Sequence, residues 1–487
     1  MPLFSRQRIH ASLRSPAGVT FVASLILSFI MLYDTPVNRD GMLYVRASRA
    51  FLEGGFDAAR AFFNWPLLPI LMGVISRLTG LDAEHAGHLL NALFMAGTCS
   101  LMVASVHRKS PEIAWFACLV VLAMPGFNEY RNELLREYGC WFFVMLSFWM
   151  ALRWSENPGW KLALGIQAAL LGSALFRSES LALFPALILW QVFDAPREAR
   201  WRRLMMLGAL PAAGGIVLLL LYLGGHFSTG NRLAGDVGRF NLARFDAKAQ
   251  VLASALIEYA RGQARAILLF GSLALIPIKL VQKLGLFLVP LIFLLSTSHA
   301  RTTLARYSLF AGAIAAHLLV LAVFVTDVQF LAGRYVGLIL LFSVPFVATG
   351  LWLITQRYPR WRYPILSIVI VMMLANVVSI SQGKKHYVAA GKWLSNHATE
   401  TSQVYIDSGR TAYFANWEKI ALAKRHDLPA IEESVRRGQH TLYILEISRK
   451  DPPAERWLES IGLRVVERFG AAGKDSVIIA THDIKKP

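Results

Sequence analysis

The chain has 487 residues, 55% hydrophobic and only 17% charged. That excludes an ordinary soluble domain, which carries more charge and shorter apolar runs. Its formal net charge is +19, but much of the excess lies in short loops between apolar runs. Lysines and arginines placed there mark the cytoplasmic side of a membrane, so the charge reads as topology and not as a nucleic-acid surface.

Runs of roughly 20 apolar residues cross a bilayer as helices, and several recur along this chain. RQRIHASLRSPAG followed by VTFVASLILSFIMLY has the charge and apolar core of a signal peptide. No small-x-small cleavage site follows, so it reads as an uncleaved first span. Basic loops lie at 5–14, 107–109, 153–161, 196–203, 300–306 and 356–362. Placing them all in the cytoplasm gives one self-consistent orientation. Spans are then expected near 17–34, 86–106, 112–126, 138–152, 161–176, 179–193, 204–224, 284–298, 307–326, 335–354 and 363–381. That makes about 11 transmembrane helices, with the amino terminus inside and the carboxyl terminus outside.

Two long segments remain on the outer side. Residues 34–85 hold an amphipathic stretch around 40–52 and the proline-broken NWPLLPILMGVISRLTG (64–80). The latter is expected as a helix lying in the interface, because a span there would invert the later loops. Residues 225–283 form the second outer loop. Its end, 265–283, is apolar with Pro277, Lys279 and Lys283, and is read as interfacial or re-entrant. Residues 1–382 make up the transmembrane module. In 383–487, strand-like runs at 403–407, 441–447, 463–469 and 475–482 alternate with helix-like segments at 428–438 and 453–462. This predicts a small extracytoplasmic α/β domain.

Chemistry-bearing residues gather on the outer side. Asp40 follows the first span, and a carboxylate at that depth can act as general base for an acceptor hydroxyl or amine. Asp40 before Gly41 and a periodic MLYVRASRAFL also reads as a helix N-cap, with Tyr44 one turn further along the same face. In FNEYRNELLREYG (127–139), Glu129, Glu133 and Glu137 recur at spacing four. They fit a solvated helix with internal ion pairs. On a sharper reading Arg131 and Arg136 hold an anionic group, since arginine suits phosphate. In FRSESLALFP, Arg177, Ser178 and Glu179 interrupt an apolar stretch. Charges there are functional candidates, unless a tight outer hairpin simply lets them reach water. Arg334 and Tyr335 begin a late span on the outer side, against the positive-inside tendency. Phosphate binding or an interfacial Arg-Tyr anchor accounts for them.

The cysteines Cys99, Cys118 and Cys140 read as small core residues, neither a disulfide nor a metal set. No P-loop, GxGxxG or HExxH motif is present. His85, His88 and His107 form no recognisable metal site. No cofactor follows from the sequence, and a divalent metal finds no defined ligand set in it.

The order of these pieces resembles the GT-C glycosyltransferases that use a polyprenyl-phosphate sugar as donor, in particular the protein O-mannosyltransferase and lipid A aminoarabinose transferase families. RDGMLYVRASRAFLEGG is similar to their first loop, an Asp, then a Tyr, then a helix. NWPLLPILMGVISRLTGLD resembles a Pro-rich segment followed by Gly, and LFRSESLALFPAL a later turn bearing Lys or Arg. GRYVGLILLFSVPF resembles the Arg-Tyr start of a late span, and GKWLSNHATETSQVYIDSGRTAYFANW their outer domain. Two departures stand out. Arg39 and Gly41 flank Asp40 where a second acid is common, and NWPLLP replaces an aromatic-Pro-Pro run.

The resemblance implies inverting transfer of a sugar from a lipid phosphate to an extracytoplasmic glycan, lipid or protein, in the inner (plasma) membrane. Asp40 would be the base, and Arg177 and Arg334 would lie near the donor phosphate. With the residue reading, the expected donor-binding set is Arg131, Arg136, Arg177, Glu179, Arg334 and Tyr335, supported at the first loop by Tyr44 and Glu133. The partners are the lipid-linked donor, membrane lipids and the acceptor, with no nucleic acid. Two other classes fit the composition. A lipid-linked sugar transporter or flippase would show repeat symmetry and midplane charges, and neither is visible. A non-catalytic scaffold would use the membrane module only to present the outer domain.

Overall fold

The computed structural model describes residues 14–32, 36–224, 242–377, 385–398, 403–417, 420–425, 427–448, 454–471 and 474–482. The basic segment 5–14 apart from Arg14, residues 225–241 at the start of the second outer loop, and the junction around Ser381 lie outside the described residues. The chain divides into two compact units. One comprises Met1–Tyr33 and Ala47–Val378, the other Asp34–Arg46 and Ser379–Pro487.

The first unit is helical. Its amino-terminal half contains α1 (Pro16–Leu32), the later part of α2 (Arg39–Phe62), α3 (Leu67–Thr79), α4 (Ala83–Lys109), α5 (Ala114–Ala123), the single turn α6 (Pro125–Asn128), α7 (Glu137–Glu156), α8 (Trp160–Phe176) and α9 (Leu183–Asp194). It continues through α10 (Arg200–Leu223), α11 (Leu242–Ala255), α12 (Ala264–Leu284), α13 (Leu288–Leu295), α14 (His299–Arg306), α15 (Ser308–Val328), α16 (Gly337–Arg357) and α17 (Arg362–Ala375). Five described helical runs are long and apolar enough to cross a membrane, and shorter apolar helices accompany them. This is a multi-pass membrane protein, since such runs satisfy their own backbone while exposing apolar side chains to lipid.

Burial sorts the helices. α16 is buried over most of its length, against α5, α13 and α15. An all-round apolar helix belongs in such a place. Gly350 permits the α13 contact, because a Cβ there would collide with the Pro290 carbonyl. By contrast, α10 exposes Leu219, Leu220 and Leu223. α3 has 13 residues and ends at Gly80 in the left-handed region, φ 74°. Its rise of about 20 Å falls short of the ~30 Å hydrocarbon core.

Two elements differ from expectation. The span expected at 284–298 is broken: Gly285 takes φ +54°, and α13 has only 8 residues. The long helix is instead α12, 21 residues including Pro277, where an interfacial segment was expected. Hydropathy could not see this break, because glycine there is neutral in polarity and decisive in dihedral. The second difference is the stretch 127–139. It is not one helix with a ladder of glutamates; turns fill the interval between α6 and α7.

The second unit contains a four-stranded sheet in the order β1-β2-β4-β3, built from β1 (Val404–Ile406), β2 (Leu442–Ile447), β3 (Leu463–Phe469) and β4 (Ser476–His482). β1 and β2 are parallel, and the other pairs are antiparallel. Alternation along the strands makes two cores. Ile444, Val477 and Ile479 pack with Tyr387 and Leu394 of α18 (Lys385–His397). Tyr443, Leu445, Ile478 and Ala480 pack with Ile431 and Val435 of α20 (Leu428–Arg436), α19 being Gly409–Phe414, and with Leu458 of α21 (Ala454–Ser460).

Candidate active site

The charged residues at the start of α7 and the end of α8 meet in the first unit. Arg177 follows α8 in an extended conformation, φ −147° and ψ 111°, its N–H donating to Ser173 O at 2.9 Å. Leaving the helix turns the side chain inward. Its Nε donates to Glu179 Oε1 and its Nη1 to Glu137 Oε1. Glu137 is the first residue of α7, where a carboxylate faces the positive end of the helix dipole, and it is 3% exposed. Arg334 comes from the short turn Gly333–Val336 ahead of α16, and its Nε lies 3.4 Å from the same Glu137 oxygen. Both guanidinium groups stand over the Tyr335 ring, 5.0 Å away for Arg177 and 5.6 Å for Arg334. Buried charges persist only when paired in this way. The outer-hairpin reading, in which Arg177 and Glu179 merely reach water, does not describe them.

These residues close one end of a cavity of about 1030 Å³. Arg136, Glu137, Arg177, Glu179, Arg334 and Tyr335 line that end. The rest of the wall is mostly apolar, with Ser178, Ser308 and His317 as its polar members. α9 supplies Pro185, Ala186, Leu189, Trp190 and Phe193, and α15 supplies Gly312, Ala315, Ala316, Leu319, Val320, Val323 and Phe324. The lining runs along α15 from Ser308 to Phe324, about 24 Å at 1.5 Å per residue. Leu189, Phe193 and Leu319 are 56%, 84% and 69% exposed, so the groove opens sideways where lipid would lie. The arrangement suits an amphiphile with an anionic head and a long apolar tail.

Arg136 joins the cavity wall, with its guanidinium 5.6 Å from the Phe63 ring. Its Nη1 is buried with no hydrogen-bond partner among the described residues. Arg131, expected to hold an anion, points elsewhere. It is 3% exposed and donates to Ser24 O at 3.0 Å, Ser24 Oγ at 2.9 Å, Ser28 Oγ at 2.8 Å and Asn128 Oδ1 at 2.7 and 2.9 Å. Its donors are taken up in tying the 125–136 segment to α1. Glu133 lies in a turn, its carbonyl accepting from Asn91 Nδ2 at 3.4 Å, and it is not part of the cavity wall.

Asp40 and Tyr44 sit in the first turns of α2, in the second unit. The helix begins at Arg39, and Met42 N donates to Asn38 O at 3.0 Å. Asn38 therefore occupies the cap position. Asp40 is a first-turn acid and not the N-cap the sequence suggested. It is partly buried, and Tyr44 is buried.

Sequence reasoning passed over one participant, Glu137, and one neighbour outside the cavity wall, Lys283. Glu137 looked like one rung of a surface ladder, although its position opening a span was the available signal. Lys283 pairs with Glu129 and lies 5.5 Å from the Tyr130 ring. Gly333, just before Arg334, packs so closely on Lys283 and Tyr130 that a Cβ would clash with both. Among the described residues, no group of three His, Cys, Asp or Glu side chains is placed to hold a metal ion.

No family model matches the chain, and no curated protein matches it. Solved structures do. ArnT from Cupriavidus metallidurans bound to undecaprenyl phosphate is 14% identical with a TM-score of 0.47, over 96% of this chain and 99% of that one. The same protein in its apo state gives 15% and 0.45, over 96% and 98%. An oligosaccharyltransferase from Archaeoglobus fulgidus, in complex with zinc and sulfate, gives 11% and 0.46, over 88% of this chain and 68% of that one. The likeness is distant in all three.

Proposed function

We propose that this protein is a membrane glycosyltransferase of the GT-C kind, moving a sugar from a polyprenyl-phosphate donor to an acceptor outside the cytoplasm. One observation carries the reading: an arginine-lined pocket opens directly into an apolar groove of nearly bilayer length, open to lipid along its side. The polyprenyl chain occupies the groove. The phosphate meets Arg334 and Arg136 at its head, while Arg177 stays fixed between two glutamates. The order of sequence motifs supports the same class. On this reading the orientation is that of the basic loops, with the donor site and the 383–487 domain on the outer side.

In the proposed reaction, the acceptor oxygen or nitrogen attacks the sugar's anomeric carbon opposite the phosphate, which gives inversion. The bond from that carbon to the phosphate oxygen breaks, and its electron pair stays on the phosphate. The arginines stabilise the charge that develops there. The acceptor's proton passes to Asp40.

The test is sugar transfer in proteoliposomes supplied with a polyprenyl-phosphate sugar. Asp40→Asn should lower kcat by about 10²–10⁴, the usual contribution of a general base. Arg334→Ala should act mainly on donor KM. Undiminished turnover by well-folded Asp40→Asn removes the base assignment. Movement of intact lipid-linked sugar across the bilayer without new product favours a flippase, and loss of all effect on removing only residues after Gly383 favours a scaffold.

A further inference from the structure

Charge is closely balanced at the head of the cavity. Three arginines, Arg136, Arg177 and Arg334, face two glutamates, Glu137 and Glu179, leaving one net positive charge; His317 also lines the cavity, its Nε2 3.3 Å from Tyr335 O, and adds none as a neutral imidazole. Glu137 is central to that balance, because one of its oxygens meets both Arg177 and Arg334. Arg177 is held at both ends, by Glu137 and by Glu179. The Arg334 contact is the longer one, at 3.4 Å. The Glu137 carboxylate, 3% exposed, is a fixed negative charge in the wall.

We propose that Glu137 is a specificity-determining residue whose charge limits how strongly the site favours the lipid phosphomonoester left after transfer over the phosphodiester donor. This rests on the glycosyltransferase reading above. The donor phosphate carries one negative charge. The product phosphate carries about 1.5 to 2 above its second pKa, which is near 6. A head with one net positive charge holds the product phosphate less tightly than a head with two would, so the Glu137 charge limits retention of the spent carrier. Removing the Glu137 charge adds one positive charge to the site. Coulomb's law is linear in ligand charge, so a doubly charged phosphate should gain affinity by about the square of the factor for a singly charged one.

The experiment uses the full chain in lipid nanodiscs at pH 8. Dissociation constants are measured for a polyprenyl monophosphate and for its methyl ester, a non-transferable phosphodiester. Glu137→Gln keeps the size of the side chain and its capacity to accept hydrogen bonds. It should tighten monophosphate binding by roughly ten- to a hundredfold and the methyl ester by only about the square root of that factor. With the sugar donor, the same variant should show a burst of about one product per enzyme followed by slow turnover. A purely structural Glu137 would produce no burst. Glu179→Gln, removing the other negative charge, should move the ratio the same way and serves if Glu137→Gln does not fold. Glu129→Gln, whose carboxylate pairs with Lys283, should leave the ratio unchanged. Equal weakening of both lipids in Glu137→Gln, or an unchanged ratio in both cavity variants, overturns the proposal. Absence of saturable binding of either lipid to the wild-type protein overturns the donor reading and this inference with it.

Discussion

Arg131, Arg177 and Arg334 show how little a residue's type says about its work. All three are arginines expected on the outer side near the ends of spans, yet their partners differ. Arg131 donates to uncharged oxygens of Ser24, Ser28 and Asn128. Arg177 and Arg334 share the Glu137 carboxylate and face a cavity. Arg131→Ala should therefore act on stability. It leaves buried acceptors and a void, costing about 2–4 kcal/mol, visible as a lower thermal unfolding midpoint in detergent. Donor KM in the folded fraction should stay at the wild-type value. A normal midpoint with a raised KM would return Arg131 to the binding site. Ser24 and Ser28, four apart on α1, were the legible trace of its true place, because i and i+4 share a helix face. Only the packing of α1 beside the turn after α6 makes them partners of an arginine 100 residues later.

Among the elements, α9 and α15 shape the groove. Gly312, Ala315 and Ala316 leave room on α15, while Leu189, Trp190 and Phe193 form the facing wall on α9. Filling the groove should therefore discriminate between tails. Ala316→Trp is expected to raise KM for a long-chain donor by roughly tenfold or more, since each excluded methylene forfeits about 0.8 kcal/mol of burial. A donor with a short chain, confined to the head, should be much less affected. Steady-state kinetics on the two donors checks this, and an equal change for both would place the tail elsewhere. The helices themselves were largely legible from apolar runs. The groove was not, because which faces of two apolar helices stand apart depends on neighbours distant in sequence.

For the whole molecule, the second unit carries its own cores and its own pH response. His440 lies beside Tyr405 and Tyr443, with ring centroids 5.6 and 6.1 Å away, and its Nδ1 is 2.7 Å from Ser434 Oγ. Burial holds its pKa below the ordinary histidine value. Between that lowered value and about 6.5, the unfolded chain binds more protons than the folded one. Stability should rise with pH across this window and be lost as pH falls through it. Hydrogen exchange of the full chain, corrected for intrinsic rates, should show lower protection in β2 and α20 at pH 5 than at pH 7. His440→Gln should flatten the difference. Equal protection at both pH values in the wild-type chain would show that the ring stays accessible to its proton.

The sequence by itself determined the class of the molecule, because a helix crossing lipid must be written as a long apolar run. It also located the four strands of the second unit nearly to the residue, since strands buried on both faces, as β2 and β4 are, are written as short apolar, β-branched runs. Tertiary structure alone decided which charges act together. Glu137, Arg177, Glu179 and Arg334 come from three separate segments, and their pairing is a property of how α7, α8 and α16 approach one another. It also separated Asn38 as the cap from Asp40 two residues on, a distinction that two helix-starting residues so close together do not reveal in their letters.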